Sequence, residues 1–214
     1  MKILTVYYSR TGNTEKLAKV LIDELQSRGH DVVFERIEVV KKRSKWVLLS
    51  SHIYHYPILA LCLLNSSVRR WWLERYRQVE HDIHALAYPD VSEFDLVCIG
   101  GPKWCYISYP VAGYIKRING LYNKKVAGFA TFGGASFEVF ELELLFKPFK
   151  DRVEKLGATL VATLGLSSNF HEFFAIYIFR LLSWIILRRP VKSFTVDSEY
   201  GSEKIREFCD SIGQ

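Results

Sequence analysis

Three hydroxyl side chains and one glycine lie close together near the start of the chain. Ser9, Thr11 and Thr14 can donate hydrogen bonds, and Gly12 lets a ligand approach the backbone. The segment follows an apolar run and precedes a helical pattern, so backbone N–H groups and a helix N-terminus would converge on one point. No Walker lysine and no G-x-G-x-x-G pattern is present, so a phosphate monoester suits the site best. The candidate residues are Ser9, Arg10, Thr11, Gly12, Asn13 and Thr14. The alternative is an ordinary helix cap after a buried strand.

Two further glycine-rich loops each carry aromatic side chains. One spans residues 100–106 and reads Gly-Gly-Pro-Lys-Trp-Cys-Tyr; the other spans 131–138 and reads Thr-Phe-Gly-Gly-Ala-Ser-Phe-Glu. Glycines would admit the edge of a planar ring to the backbone, and aromatic side chains would stack on its faces. The alternative is a pair of ordinary strand-to-helix turns whose aromatic residues belong to the core.

Strand and helix patterns alternate along the chain and would position these loops. The predicted strands are Ile3–Tyr8, Asp31–Ile37, Phe94–Gly100, Lys125–Thr131 and Ala158–Leu164. The predicted helices are Thr14–Ser27, Val111–Ile118, Phe137–Leu156 and Ser202–Ile212. The alternation predicts an α/β doubly wound fold: a five-stranded parallel sheet with helices on both faces. All three loops then follow the carboxyl ends of strands, where such sheets bind ligands.

The 9–14 segment resembles the FMN-phosphate loop of the flavodoxin family, whose pattern is Thr/Ser-x-Thr-Gly-x-Thr. With the two later loops, the resemblance covers about residues 1–39 and 89–165 and the last helix. It implies the strand order 2-1-3-4-5 and FMN as cofactor, with the phosphate on residues 9–14. It also implies that the loop backbones meet the edge of the isoalloxazine ring, with Trp104 and Phe137 on its two faces. The implied ring site comprises Gly101, Pro102, Lys103, Trp104, Cys105, Tyr106, Thr131, Phe132, Gly133, Gly134 and Phe137.

Two residues of the second loop depart from the pattern of that family. Cys105 stands where many flavodoxins have glycine, and a side chain makes a positive φ costly there. Lys103 adds a positive charge that would favour an anionic, two-electron-reduced ring. Both departures favour two-electron chemistry over one-electron shuttling.

Two apolar, aromatic stretches with basic flanks interrupt the pattern, at about residues 40–88 and 167–191. We interpret them as helical insertions within a single domain that spans residues 1–214. Neither predicts a transmembrane helix, because polar residues and Pro57 interrupt one and Arg180 lies within the other. Their composition favours contact with an anionic membrane surface through 41–77 and 170–189. The alternatives are a protein interface, such as a homodimer, and additional core.

Charge and cysteine content narrow the classes of partner. The net charge of +6 favours an anionic partner. The basic and aromatic residues of 69–77 lie in no recognisable DNA- or RNA-binding module, so nucleic acid is not an expected partner.

Four cysteines without C-x-x-C pairing predict free thiols in a reducing cytoplasm and no metal site. The N-terminus has no signal-peptide layout, which favours a cytoplasmic protein, peripheral on the inner membrane face if the insertions bind lipid.

Three functions remain in competition. The first is an FMN-dependent oxidoreductase that transfers electron pairs to or from a lipophilic acceptor, quinone-like or porphyrinogen-like. The second is a flavodoxin-type one-electron carrier for a redox protein. The third is a binding or tethering protein that keeps the fold without FMN, against which the complete 9–14 pattern argues.

Overall fold

The computed structural model of the chain describes residues 1–41, 56–75, 79–104, 106–168 and 175–213. Cys105 and the central parts of both insertions, 42–55 and 169–174, lie outside the described residues. The strands are β1 (Lys2–Tyr7), β2 (Asp31–Arg36), β3 (Leu96–Pro102), β4 (Lys125–Phe132) and β5 (Thr159–Ser167). The helices are α1 (Asn13–Ser27), α2 (Tyr56–Leu64), α3 (Ser66–Arg75), α4 (Tyr109–Arg117), α5 (Glu138–Lys155), α6 (Ala175–Leu182) and α7 (Glu199–Ile212). Shorter turns lie at Ala135–Phe137, Ser183–Leu187 and Val191–Phe194.

The five strands form one parallel sheet in the order β2-β1-β3-β4-β5, which confirms the predicted topology. The strand order reverses between β1 and β3, because β1 pairs with β2 on one side and with β3 on the other. Loops that follow β1, β3 and β4 therefore meet at one edge of the sheet, beside this switch point.

Helices cover both faces of the sheet, because the central strands are apolar on both sides. On one face, Leu21 of α1 and Phe208 of α7 pack with Ile3 of β1. On the other face, Val111 of α4 and Phe149 of α5 belong to the opposite core cluster. Two apolar layers thus pack against the two faces of the sheet beneath the loops.

Several element boundaries differ from the predicted ones for local reasons. β5 continues past its predicted end at Leu164 to Ser167. A Cβ at Gly165 would collide with Leu142 of α5, so this glycine serves close helix packing and not a turn. Helix α4 starts earlier than predicted, at Tyr109, because Pro110 is tolerated in a first turn.

The end of the first insertion rejoins the core of the fold. The Glu35 carboxylate accepts hydrogen bonds from the backbone N–H groups of Ala87 (2.7 Å) and Tyr88 (3.2 Å). Val39 and Ile83 form an antiparallel bridge. In the part of the chain that the structure describes, no helix is both long and apolar enough to cross a membrane.

Candidate functional site

The loop between β1 and α1 leaves hydrogen-bond donors available to a ligand. Ser9 Oγ accepts from Gly12 N at 3.1 Å, and Thr11 Oγ1 accepts from the Asn13 side-chain amide at 3.0 Å. Because both hydroxyl oxygens accept within the loop, their own O–H groups can donate outward. Thr11 is exposed and Ser9 is buried at the base of the loop.

Gly12 occupies the N-cap of α1 in the left-handed region, with φ 88°. A Cβ at this position would point into open space, so the backbone conformation and not crowding requires glycine. No side chain caps the helix here. The first-turn N–H groups of α1 are therefore left to a ligand or to water, and the helix dipole favours an anion. This arrangement fits a phosphate and departs from the alternative of a side-chain-capped helix.

Thr131 connects the three loops. Its hydroxyl lies 2.8 Å from the hydroxyl of Thr14, in the first turn of α1. Its backbone carbonyl accepts from Lys103 N, in the second loop, at 2.7 Å. Thr131 itself begins the third loop, and its side chain is buried. The loops predicted to share a ligand are thus hydrogen-bonded to one another.

Lys103 is held in a nearly buried ion pair. Its Nζ lies 2.5 Å from Glu141 Oε2, and the two side chains are 4% and 16% exposed. The ammonium group also donates to the Trp104 carbonyl at 3.3 Å. The carboxylate neutralises the cation that the sequence analysis assigned to the ring, so Lys103 orders the second loop without offering it net charge. Glu141 lies in α5, and no local pattern in the sequence points to this contact.

The aromatic residues of the second loop have different environments. Trp104 is half-buried and makes edge-to-face contacts with Tyr8 (centroids 6.1 Å apart) and Tyr109 (4.9 Å). Tyr106 is fully buried, and its hydroxyl accepts a hydrogen bond from Trp72 Nε1 of the first insertion. Trp104 therefore remains the candidate for ring stacking, whereas Tyr106 offers a ligand only its backbone. Tyr8, which directly precedes the 9–14 loop, was not predicted as part of the site.

The third loop combines a buried strand end with a half-buried aromatic residue. Phe132 is buried, and its carbonyl accepts from Ser168 N at 2.7 Å. Gly133 and Gly134 lead into the turn Ala135–Phe137, where Phe137 N donates to Gly134 O at 2.9 Å. The buried hydroxyl of Ser136 has no hydrogen-bond partner among the described residues. An unpaired buried hydroxyl within this turn is a group that can hydrogen-bond to a bound ligand.

Glycine at position 101 is required by packing within the second loop. A Cβ on Gly101 would lie 2.6 Å from Val111 Cγ2 and 2.7 Å from Ser108 Oγ. The loop backbone therefore lies directly against the start of α4. Pro102 ends β3 beside it, which leaves Lys103 and Trp104 as the first residues beyond the sheet.

Both insertions border the loops. Cys62 of α2 and Leu73 of α3 are buried in a cluster with Tyr106 and Phe140, and Phe137 packs against it. Helix α6 and the turn Ser183–Leu187 lie next to the turn Ala135–Phe137. The apolar stretches therefore lie beside the second and third loops.

Tyr200 of α7 forms a hydrogen bond with Glu138, the first residue of α5. Its hydroxyl donates to the Glu138 carboxylate, 2.9 Å from Oε1. Burial and this neighbouring carboxylate raise the pKa of Tyr200 to about 12. The phenol is therefore neutral and able to donate at physiological pH.

The fold is similar to those of solved flavodoxins. Oxidised flavodoxin 2 from Bacillus cereus is 17% identical, with a TM-score of 0.54 over 100% of this chain and 98% of that chain. A short-chain flavodoxin associated with a non-canonical PDU bacterial microcompartment is 11% identical, with a TM-score of 0.51 over 100% of this chain and 97% of that one. The chain thus has the flavodoxin fold. No protein-family model and no curated protein sequence matches it.

Proposed function

We propose that the three loops bind FMN and that the protein is an FMN-dependent oxidoreductase. The observation that carries this proposal is the convergence of an uncapped α1 N-terminus with two loops that share Thr131. The complete Ser-x-Thr-Gly-x-Thr pattern and the flavodoxin fold support it. When bound, FMN would supply the electron transfer itself.

The residues of this chain would bind and orient the cofactor. Ser9 and Thr11 would donate hydroxyl hydrogens to the phosphate, together with the first-turn N–H groups of α1. Trp104 and Phe137 would cover the two faces of the ring, and Gly133 and Gly134 would admit its edge. The Lys103–Glu141 pair would hold the second loop in place.

We further propose that the acceptor is lipophilic, quinone-like or porphyrinogen-like, and is met at an anionic membrane surface. Trp184 and Ile185 are 68% and 57% exposed, and Arg188 and Arg189 follow them at the surface. Exposed aromatic and aliphatic side chains beside arginines suit the interface of an anionic bilayer. Because this surface adjoins the third loop, a lipid-soluble substrate could reach the ring without crossing water.

An anaerobic reductive titration in the presence of FMN tests the function. We expect bound FMN to be reduced in a single two-electron step, and FMN to bind more tightly than riboflavin, which lacks the phosphate. Thr11→Ala should lower the ratio of the riboflavin Kd to the FMN Kd by about fivefold, because one hydrogen bond to the charged phosphate is lost. Thr159→Ala is the matched control, because Thr159 lies at the amino end of β5 and the loops lie beyond the carboxyl ends of the strands. A protein that binds neither flavin would overturn the proposal.

The second candidate is a one-electron carrier. The similarity to two flavodoxins over the whole chain favours this candidate. The neutralisation of Lys103 by Glu141 also removes one reason for two-electron chemistry. A net charge of +6 would suit an acidic redox protein as partner. Two separated one-electron steps in the same titration would move the assignment to this carrier.

A further inference from the structure

A polar cavity adjoins the 9–14 loop. It has a volume of about 320 Å³ and lies beyond the carboxyl ends of β4 and β5. Lys16 of α1, Ser167 of β5 and Lys192 contribute to its lining. Asn13 and Thr131, which belong to the proposed FMN site, also line it, so the two sites share a wall.

The charges around the cavity favour an anion. Lys16 Nζ lies 2.6 Å from Asp197 Oδ2, and both side chains are more than half exposed, so solvent screens this pair. Lys192 is exposed and forms no salt bridge within the described ranges. The two lysines and the aspartate leave a net charge of +1. The first turn of α1 adds the positive end of the helix dipole.

An unpaired hydroxyl lies in the wall of the cavity. Ser167 is 2% exposed, and its Oγ has no hydrogen-bond partner in the described part of the chain. The neighbouring hydroxyls are already engaged: Ser168 Oγ donates to Phe132 O at 3.3 Å, and Thr195 Oγ1 donates to Lys192 O at 2.9 Å. Ser167 is thus the group here whose hydrogen-bonding capacity a ligand oxygen would use.

We propose that this cavity binds a phosphate group in addition to the one that the 9–14 loop accepts. Lysine ammonium groups bind phosphate as point charges, and the Ser167 hydroxyl would add a directed hydrogen bond. The volume leaves room for the chemical group to which the phosphate is attached. The phosphate could come from a dinucleotide flavin, which carries a second phosphate, or from a separate phosphorylated ligand.

Calorimetric titration of inorganic phosphate into the FMN-saturated protein tests the site, because FMN occupies the 9–14 loop. We expect binding that weakens about fivefold in Lys192→Gln, the loss of one screened charge. Lys125→Gln is the matched control and should bind phosphate like the wild type, because Lys125 lies at the amino end of β4, away from the cavity at its carboxyl end. Absence of phosphate binding, or equal weakening in both variants, would overturn the proposal.

Ser167→Ala provides a readout that a purely structural role would not produce. Removing an unpaired buried hydroxyl should leave thermal stability unchanged or raised, while phosphate binding weakens. A variant that loses stability and keeps its phosphate affinity would count against the site.

Flavin affinities distinguish the two sources of phosphate. If the second phosphate of FAD occupies the cavity, Lys192→Gln weakens FAD binding and leaves FMN binding unchanged. If a separate ligand occupies it, both flavin affinities stay the same and only the phosphate titration responds. Should the protein bind no flavin, the FMN proposal fails on that result alone. The cavity is then tested by the same phosphate titration without flavin: Lys192→Gln should weaken phosphate binding, whereas Ser9→Ala, in the loop, should leave it unchanged.

Discussion

The two insertions have similar compositions, but the described part of the first also contributes buried side chains to the candidate site. In the first, Cys62 and Leu73 are buried with Tyr106 of the second loop, and Arg69 pairs with Glu143 of α5 at 3.1 Å. In the second, Trp184, Ile185 and Ile186 are about half exposed or more. The first insertion forms part of the wall of the candidate site, whereas the second presents an apolar surface beside it.

Polar contacts fix the first insertion against the second loop and α5. Trp72 donates to Tyr106, and Arg69 lies over the Phe140 ring at 5.6 Å, so the first insertion is anchored in one orientation. In the second insertion, Ser183 Oγ donates to Arg189 O at 2.7 Å, a partly buried contact between two positions of the insertion.

Truncation of a buried side chain in the first insertion should have the largest effect. Leu73→Ala should lower the free energy of unfolding by about 2–5 kcal/mol, because it leaves a cavity beside Tyr106. Ile185→Ala, in the second insertion, should change it by less than about 0.5 kcal/mol, since the side chain is exposed. Denaturant unfolding of both variants measures the contrast. Equal losses would mean that the second insertion is also core.

Lipid binding should depend on the second insertion. Replacing Trp184 and Ile185 by serine should lower the affinity for vesicles of mixed anionic and zwitterionic lipid by more than about tenfold, because two apolar side chains no longer insert into the bilayer. Co-sedimentation with the vesicles measures this affinity. Leu64→Ser, in the first insertion, is the control and should have little effect, although the Leu64 side chain is 84% exposed. If the variant still binds vesicles but no longer dimerises in analytical ultracentrifugation, this surface is a homodimer interface.

The polar anchor of the first insertion should contribute modestly. Glu143→Gln removes the charge that faces Arg69, and both side chains are partly exposed, so we expect a loss of about 0.5 kcal/mol or less. Glu154→Gln, in the same helix, breaks an exposed pair with Lys150 and should have no measurable effect. A double-mutant cycle with Arg69→Met isolates the interaction, and a coupling energy of zero would show that the anchor lies elsewhere.

Thiol labelling should give the smallest signal. Burial raises the pKa values of Cys98 and Cys209 to about 12 and also raises that of Cys62. At pH 8 a thiol of pKa 12 is a thiolate in only about one molecule in ten thousand, so alkylation should be very slow and should accelerate as pH rises. Mass spectrometry of the labelled peptides measures each site. Leu73→Ala should expose Cys62 selectively, and rapid labelling of Cys62 in the wild type would contradict its packed environment.

Local patterns in the sequence predicted the parallel sheet and the 9–14 loop, because strands buried on both faces are continuously apolar and the loop residues are contiguous. The strand order, in contrast, was implied by the resemblance to flavodoxins. The pairing of Lys103 with Glu141 was not predictable, because it joins a loop to a distant helix turn. Helix α2 is apolar all round, so no periodicity indicates which of its sides is buried. The predicted end of β5 at Leu164 was three residues too early, because the close packing of Gly165 against Leu142 of α5 is a tertiary contact that the local sequence does not indicate.

The position of Thr131 has a consequence for motion. One residue provides a hydroxyl to the first loop, a carbonyl to the second and the start of the third. Segments joined in this way open together and not one at a time, so their amide hydrogens should exchange as a single cooperative unit. A ligand that orders one loop would then slow exchange in all three, whereas Thr131→Val would uncouple the first loop from the other two.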